Sequence, residues 1–324
     1  MSVFGDVERD CLVEARTEAA AGVVVLDLVA VNGRDLPPWA PGSHIDLLLQ
    51  TPAGVVERQY SLCGDPADRQ RYRVGVLREA SGRGGSEFVH VGLLEGDRVR
   101  IRGPRNHFSF PATPGVPVLF IAGGIGVTPF VSMCAAAEAA GIDFTLHYAG
   151  RSRSTMAFAR ELDSAYGRRV MLHPSDEGAR LDVDAVLGAA DAAAHVFTCG
   201  PKRLLEAVEL ACSGWASDRL HLEHFEAKEF GAPVWQDSFE VELALTGVTV
   251  EVPLERSILD VVEDQGVLVV SSCRKGTCGT CEAPVVEGEI EHRDSILTPS
   301  EQEAGDTMMI CVSRAAGPRL VLDL

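Results

Sequence analysis

The chain has 324 residues, 46% hydrophobic and 23% charged, a balance that excludes a disordered polymer and sets an expectation of about two domains. Its 29 Lys and Arg against 47 Asp and Glu leave a formal net charge of -18, which argues against a nucleic-acid backbone or an anionic membrane as main partner. Nine cysteines, an odd number, and a charged start (MSVFGDVERD) without an apolar leader point to a cytoplasmic protein whose clustered thiols hold metal.

Up to about residue 112 the chain alternates apolar and polar residues in short runs: Val23 to Val31, His44 to Leu49, Tyr72 to Leu77 and Asp97 to Ile101. Pro, Gly and Asp separate them, the pattern of an antiparallel barrel or sandwich. Ser86 reads as the cap of a short helix that stops at Gly92. From Pro114 to about Phe225 strands alternate with helices, which predicts a mainly parallel sheet covered on both faces. The strands are Val116–Ala122, Phe144–Ala149, Arg169–His173, His195–Cys199 and Arg219–Phe225; the helices include Thr155–Tyr166 and Lys202–Trp215, with Pro201 at the first position of the latter. The uncharged stretch Gly115 to Ala137 is long enough to span a bilayer, but Pro117, Gly123, Gly124, Gly126 and Pro129 interrupt it. It reads instead as a buried strand, a glycine turn and a helix start.

EAKEFGAPVWQD, from Glu226 to Asp237, has no period and reads as a linker. Strict alternation then resumes at Phe239, Val241, Leu243 and Leu245, turns at Thr246-Gly247, and continues at Val248, Val250 and Val252. Ser257, with Asp260 three residues on, caps a helix that Gly266 ends. From Ser238 onward 16 acidic residues face 6 basic ones, so ten of the eighteen net negative charges lie in this last stretch. The expected division is 1–112, 113–228, a linker over 229–237, and 238–324.

The strongest chemical signal is Cys273-Arg-Lys-Gly-Thr-Cys278-Gly-Thr-Cys281, followed after 29 residues by Cys311. The C-x4-C-x2-C…C spacing is that of plant-type [2Fe–2S] centres. Three thiolates from one tight loop and one from a distant strand can converge on two irons, and Gly276 and Gly279 let that loop turn its amides toward the sulfurs. A thioredoxin-like pair at Cys278 and Cys281, or a four-cysteine zinc site, are the rival readings. The CRKGTCGTC and ICVSRA segments resemble the plant-type ferredoxin domain of β-grasp fold.

Arg58-Gln59-Tyr60-Ser61-Leu62 ends a strand, and Arg83-Gly84-Gly85-Ser86 opens the short helix. Alone, either is an ordinary strand end or turn. Together they suit a flavin: Arg58 for phosphate, Tyr60 over the ring, Ser61 near the reactive N5, and helix-start amides for the same phosphate. Gly123-Gly124-Ile-Gly126-Val-Thr128-Pro129 and Cys199-Gly200-Pro201 each end a strand of the parallel sheet, where a dinucleotide can approach backbone. Packing alone would also place glycines there, and Cys199, like Cys11, Cys63, Cys134 and Cys212, has a bland reading as a small buried residue. His221 and His224 point to opposite faces of a strand and make a poor metal pair.

Across essentially its whole length the chain resembles the ferredoxin–NADP⁺ reductase superfamily, and RQYSLCGDPADRQRYRVGVLREASGRGGS resembles most closely the phthalate dioxygenase reductase family, which includes vanillate O-demethylase oxidoreductases. The resemblance implies three parts in order: an antiparallel flavin-binding β-barrel, a parallel α/β nicotinamide-binding part and a β-grasp ferredoxin. It implies FMN, with FAD as the alternative, held by Arg58, Gln59, Tyr60, Ser61, Gly84, Gly85 and Ser86 and edged by Gly75, Val76 and Leu77. It places Gly123, Gly124, Gly126, Thr128, Cys199, Gly200 and Pro201 around the nicotinamide, and Glu223 and Phe225 beside the two rings. Ser61, Thr128, Cys199, Glu223 and Phe225 thus stand nearest the hydride transfer, and no acid or base is required. Arg151 and Arg153 after the second sheet strand suit a 2′-phosphate and NADPH, yet relatives with similar arginines use NADH, which is the expectation here. Cys273, Cys278, Cys281 and Cys311 would hold the cluster.

The implied function is an oxidoreductase that takes a hydride from NADH and delivers single electrons to a separate terminal oxygenase, Rieske-type or, alternatively, a cytochrome P450. A zinc-stabilised binding or redox-sensing module is the reading from another class. A monomer is the default, with no nucleic-acid or membrane partner.

Overall fold

A computed structural model describes residues 7–52, 54–79, 82, 84–216, 218–226, 228 and 230–324. The chain forms two compact units, 1–225 and 226–324. The first opens with β1 (Glu8–Ala20), β2 (Val23–Ala30), β3 (Ser43–Thr51), β4 (Gly54–Ser61) and β5 (Tyr72–Leu77), then α1 (Gly85–Gly92) and β6 (Arg98–Asn106). These strands pair antiparallel in the order β4-β3-β6-β1-β2-β5, and a bridge between Leu62 and Val74 links the two edges into a barrel. Period-two alternation points Ile45, Leu47, Leu49, Leu26, Val74 and Val76 inward, all nearly or fully buried. Each such side chain contributes about 1.5–3 kcal/mol by leaving water.

β7 (Val118–Gly123), α2 (Thr128–Ala139), β8 (Phe144–Gly150), α3 (Ala159–Tyr166), β9 (Val170–Pro174), α4 (Val183–Ala189), β10 (His195–Cys199), α5 (Lys202–Ala211) and β11 (Leu220–Glu223) complete the first unit. Their strands are all parallel, in the order β11-β10-β7-β8-β9. The direction of travel across the sheet therefore reverses between β7 and β10, where open α/β sheets take their ligands. One apolar core joins barrel and sheet: Phe108 meets Phe130, and Phe110 packs edge-on against Phe197 with centroids 5.4 Å apart.

The second unit contains β12 (Phe239–Leu243), β13 (Val248–Val252), α6 (Ile258–Asp264), β14 (Glu282–Glu287), β15 (Ile290–Glu291), α7 (Pro299–Ala304), β16 (Thr307–Met309), β17 (Arg314–Ala315) and β18 (Arg319–Leu322). Its main sheet has the order β13-β12-β18-β14-β16, with only β12 and β18 parallel. β12 and β13 form a hairpin through Thr246-Gly247, with Gly247 left-handed at φ 68°. α6 lays Ile258, Leu259, Val261 and Val262 on this sheet's core.

Several expectations need correction. Ser86 lies inside α1; the cap is Gly84, left-handed at φ 78°, and the Ser86 hydroxyl accepts from the Glu79 N–H. The helix expected from Thr155 starts at Ala159, after a tight turn and a left-handed Phe158. α5 ends at Ala211, β11 ends at Glu223, and Pro201 is the cap of α5 rather than its first residue. β1, the longest strand, was not anticipated. Among the described residues no helix is long and apolar enough to cross a membrane.

Candidate functional site

On the barrel, β4 runs beside β3 with Leu47 opposite Arg58, Ile45 opposite Tyr60, Asp46 opposite Gln59 and His44 opposite Ser61. Strand alternation therefore puts Arg58 and Tyr60 on one face and Gln59 and Ser61 on the other. Arg58 meets the start of α1: a Cβ on Gly85 would sit 2.7 Å from its Cγ and 2.8 Å from its Nε. The two segments expected to meet a phosphate, 27 positions apart at Arg58 and Gly85, thus share one location. No side chain caps the first turn of α1 among the described residues, which leaves its amides aimed at that spot. Arg83 lies outside the described residues.

The Ser61 Oγ is buried without a hydrogen-bond partner among the described residues, an orphan that a ring nitrogen would satisfy. Burial holds the Tyr60 phenol well above its usual value, so it stays neutral. The Gln59 amide donates to Asp46 at 2.8 Å. Asp46 is fully buried and pairs with Arg105, while Arg102 reaches Glu8 at 2.8 Å and Glu57 at 3.0 Å. Sequence reasoning missed this ion network, although the repeated arginines of RVRIRGPRN were its signal.

Gly75 on β5 brings barrel and sheet together, since a Cβ there would lie 3.1 Å from the Thr128 methyl and 3.3 Å from the Phe158 ring. Val76 and Leu77 continue the strand opposite Val24 and Val23. Thr128 begins α2, its Oγ1 donating to the Ile125 carbonyl at 3.0 Å. The two glycine turns of the sheet interlock. A Cβ on Gly126 would fall 2.4 Å from the Cys199 carbonyl oxygen, and one on Gly123 2.6 Å from Pro201. A Cβ on Gly200 would lie 3.0 Å from the Gly123 Cα and nitrogen, while Gly124 is left-handed at φ 55°.

Cys199 pairs in register with Glu223 across β10 and β11 and is fully buried. Burial drives the Cys199 thiol far up, and burial also lifts the Glu223 carboxyl to about 8, against a lowering hydrogen bond from Cys199. The Glu223 residue keeps some exposure, but its Oε2 is inside and lacks a partner. Phe225 is 42% exposed, an aromatic face left available at the end of the first unit. His221 stacks on Phe197 with centroids 4.2 Å apart. After β8, Arg151 is exposed and Arg153 is engaged by Glu177 at 2.9 Å.

In the second unit Cys273, Cys278, Cys281 and Cys311 are all buried. Thiol contacts link Cys273 to Cys278 and Cys311, and Cys281 to Cys311. Hydrogen bonds from Cys278 and Cys311 push Cys273 far down, and the same contacts push its partners far up. Buried thiols competing for protons suit metal ions that replace those protons. The Lys275 and Thr277 amides donate to the Cys273 sulfur at 3.3 and 3.4 Å, and Thr280 Oγ1 lies 3.1 Å from Cys278. Gly276 is left-handed at φ 69°, and a Cβ there would strike Val312 at 2.6 Å. Among the described residues no set of three or more His, Cys, Asp or Glu is spaced to grip a single ion; the thiols are linked pairwise.

Residues 241–316 match the model of the 2Fe-2S iron-sulfur cluster binding domain. The phenoxybenzoate dioxygenase subunit beta of Ectopseudomonas oleovorans is 45% identical over 313 residues, 96% of each chain. The crystal structure of phthalate dioxygenase reductase, described as a modular structure for electron transfer from pyridine nucleotides to [2Fe-2S], superposes with a TM-score of 0.69 at 35% identity over 98% of each chain. An intact type IV self-sufficient cytochrome P450 monooxygenase matches 98% of this chain at 41% identity and TM-score 0.91, this chain spanning 41% of that longer one. Barrel, parallel sheet and cluster fold follow one another here as in that family, and the chain belongs to the phthalate dioxygenase reductase family, the reductase components of multicomponent oxygenases.

Proposed function

We propose that the chain draws on NADH, holds FMN and a [2Fe–2S] cluster, and supplies a separate Rieske-type oxygenase with electrons one at a time. When bound, these groups supply hydride donation, division of the electron pair and single-electron carriage respectively. The observation that carries the flavin part is the seating of Arg58 against Gly85, which gathers a guanidinium and uncapped helix amides at one point. There Arg58, Gly84, Gly85 and Ser86 would hold a phosphate, Tyr60 would cover the ring and the Ser61 hydroxyl would meet its nitrogen edge. Gln59, tied to Asp46, would support the strand and its backbone would face the ligand. Gly75, Val76 and Leu77 would line the ring edge.

Gly123, Gly124, Gly126, Thr128, Cys199, Gly200 and Pro201 would admit the nicotinamide, with a neutral Glu223 and Phe225 excluding water beside it. NADH is favoured over NADPH because Glu177 already engages Arg153. Cys273, Cys278, Cys281 and Cys311 would hold the cluster, and the acidic excess after Ser238 suits a basic docking face on the partner. The working modules would be 1–112, 113–228 and 238–324 with a linker at 229–237. Nine free, buried cysteines suit a reducing, cytoplasmic setting and a monomer without disulfides. The match to the self-sufficient P450 favours a cytochrome P450 partner as the second reading.

Anaerobic addition of NADH to the loaded protein should bleach the flavin and bring up the paramagnetic signal of a reduced iron–sulfur centre. A protein carrying zinc, or one that stays silent with NADH, overturns the assignment. Coupled turnover with purified Rieske and P450 oxygenases then decides the partner.

A further inference from the structure

The first cysteine of the cluster loop is followed by a residue in an unusual state. Arg274 is left-handed at φ 53°, a conformation that disfavours any residue with a Cβ. Its guanidinium explains why the conformation persists. One nitrogen donates to Asp260 at 2.8 Å and another to Glu263 at 2.7 and 2.5 Å, so the planar fork spans two carboxylates three positions apart on α6. α6 is itself anchored: Ser257 caps it through the Asp260 amide, and its other face is buried in the core of the unit. On the far side of the loop the Ser295 amide donates to the Gly276 carbonyl at 2.8 Å, and Gly276 packs on Asp294 and Val312. The Lys275 amide lies between these two anchors and the Thr277 amide shares a peptide with the anchored Gly276 carbonyl; among the described residues these are the only two amides that donate to the Cys273 sulfur.

We propose that Arg274 is a positioning residue that sets how readily the iron–sulfur centre accepts an electron, by clamping the loop to α6 so that the Lys275 and Thr277 amides stay aimed at the Cys273 sulfur. Amides directed at a ligand sulfur offset the negative charge added on reduction, and their hold depends on the groups that orient them. The clamp acts through the backbone at 274 to 277; its guanidinium forks onto Asp260 and Glu263, and its charge reaches Cys311 through space, an effect that a lysine keeps. This inference deepens the reading of the four cysteines as cluster ligands and rests on it.

The test uses the full-length, cluster-loaded protein and the variant Arg274→Lys. Lysine keeps the charge, and with it the through-space field, but lacks the fork that joins both carboxylates. At a fixed applied potential, read by absorption against a redox dye, the ratio of reduced to oxidised cluster should fall about 3- to 10-fold, the scale of weakening one or two amide–sulfur bonds. Deuterium couplings of exchangeable protons near the cluster should weaken with it. The double variant Asp260→Asn/Glu263→Gln provides the second arm. Removing two negative charges would by field alone make reduction easier, whereas loss of the clamp makes it harder, so a lowered reduced fraction supports the proposal. A wild-type ratio in Arg274→Lys, or a raised one in the double variant, overturns it. Wild-type protein without iron, sulfide and their visible absorption would instead overturn the cluster reading beneath it.

Discussion

The contact between the two glycine turns of the parallel sheet makes Gly126→Ala a sharp test of where the pyridine nucleotide binds. The new methyl carbon would lie 2.4 Å from the Cys199 oxygen, 2.5 Å from its carbonyl carbon and 2.7 Å from the Gly200 nitrogen. All three are main-chain atoms at the ends of paired strands, so no side chain can swing aside. Restoring an ordinary contact requires the turns to part by about 1 Å, and overpacking of this kind costs about 1–3 kcal/mol. For a unit of this size that corresponds to a fall in Tm of about 3–9 °C. The larger effect falls on chemistry, because displacing a reacting group by about 1 Å slows transfer on the order of 100-fold. Anaerobic stopped-flow mixing with NADH, followed by flavin bleaching, measures that rate, and calorimetry measures the Tm. The second unit carries its own core, so the iron–sulfur absorption should be unchanged and serves as an internal control. A bleaching rate within about twofold of wild type would refute the placement of the nicotinamide at this junction.

Ser61→Ala should weaken flavin binding about 5- to 30-fold, through loss of one buried hydrogen bond, without lowering the Tm of flavin-free protein, since the hydroxyl has no partner among the described residues; titration by fluorescence quenching would show equal affinity if the hydroxyl points elsewhere. Glu223 binds its proton more tightly folded, to about 8, than in its ordinary state at 4.5, so its own contribution to stability is full below about 4.5 and falls as the pH rises through that window. Between pH of about 6 and about 9 the loss should be about 2–3 kcal/mol in urea unfolding, and Glu223→Gln should abolish it; an unchanged slope would count against a buried carboxyl. Glu177→Gln, by releasing Arg153, should raise turnover with NADPH relative to NADH about 3- to 10-fold, and an unaltered preference would remove Arg153 from cofactor choice.

Legibility in the sequence followed the range of each interaction. The cysteine loop, the hairpin at Thr246-Gly247 and the cap at Ser257 are local, and their residues were readable where they stood. The glycine turns were readable because strand, turn and helix follow in order, though only the fold interlocks Gly126 with Cys199. β1 was missed because ERDCLVEARTEAA is rich in helix formers and only Cys11 and Val13 in it are buried; pairing with β2 and β6 decides its state. Ser86 was misread because a good capping residue stands beside Gly84, whose left-handed backbone takes the cap position instead. The Asp46, Arg102 and Arg105 network joins two strands, β3 and β6, from distant parts of the chain, and no local pattern announces the pairing.

The phenylalanines that fuse barrel and parallel sheet have a consequence for how such proteins are built. Phe108 and Phe110 leave the barrel to complete the interior of the sheet, so although the barrel keeps a core of its own, parting the two would bare the aromatic side of the sheet. Residues 226–324 enclose an interior of their own. Inheritance and engineering can therefore cut this chain cleanly near residue 226, moving the iron–sulfur piece to the other terminus or onto another enzyme. A cut between the first two parts would expose two halves of one greasy seam, so they should travel through evolution as a single cassette.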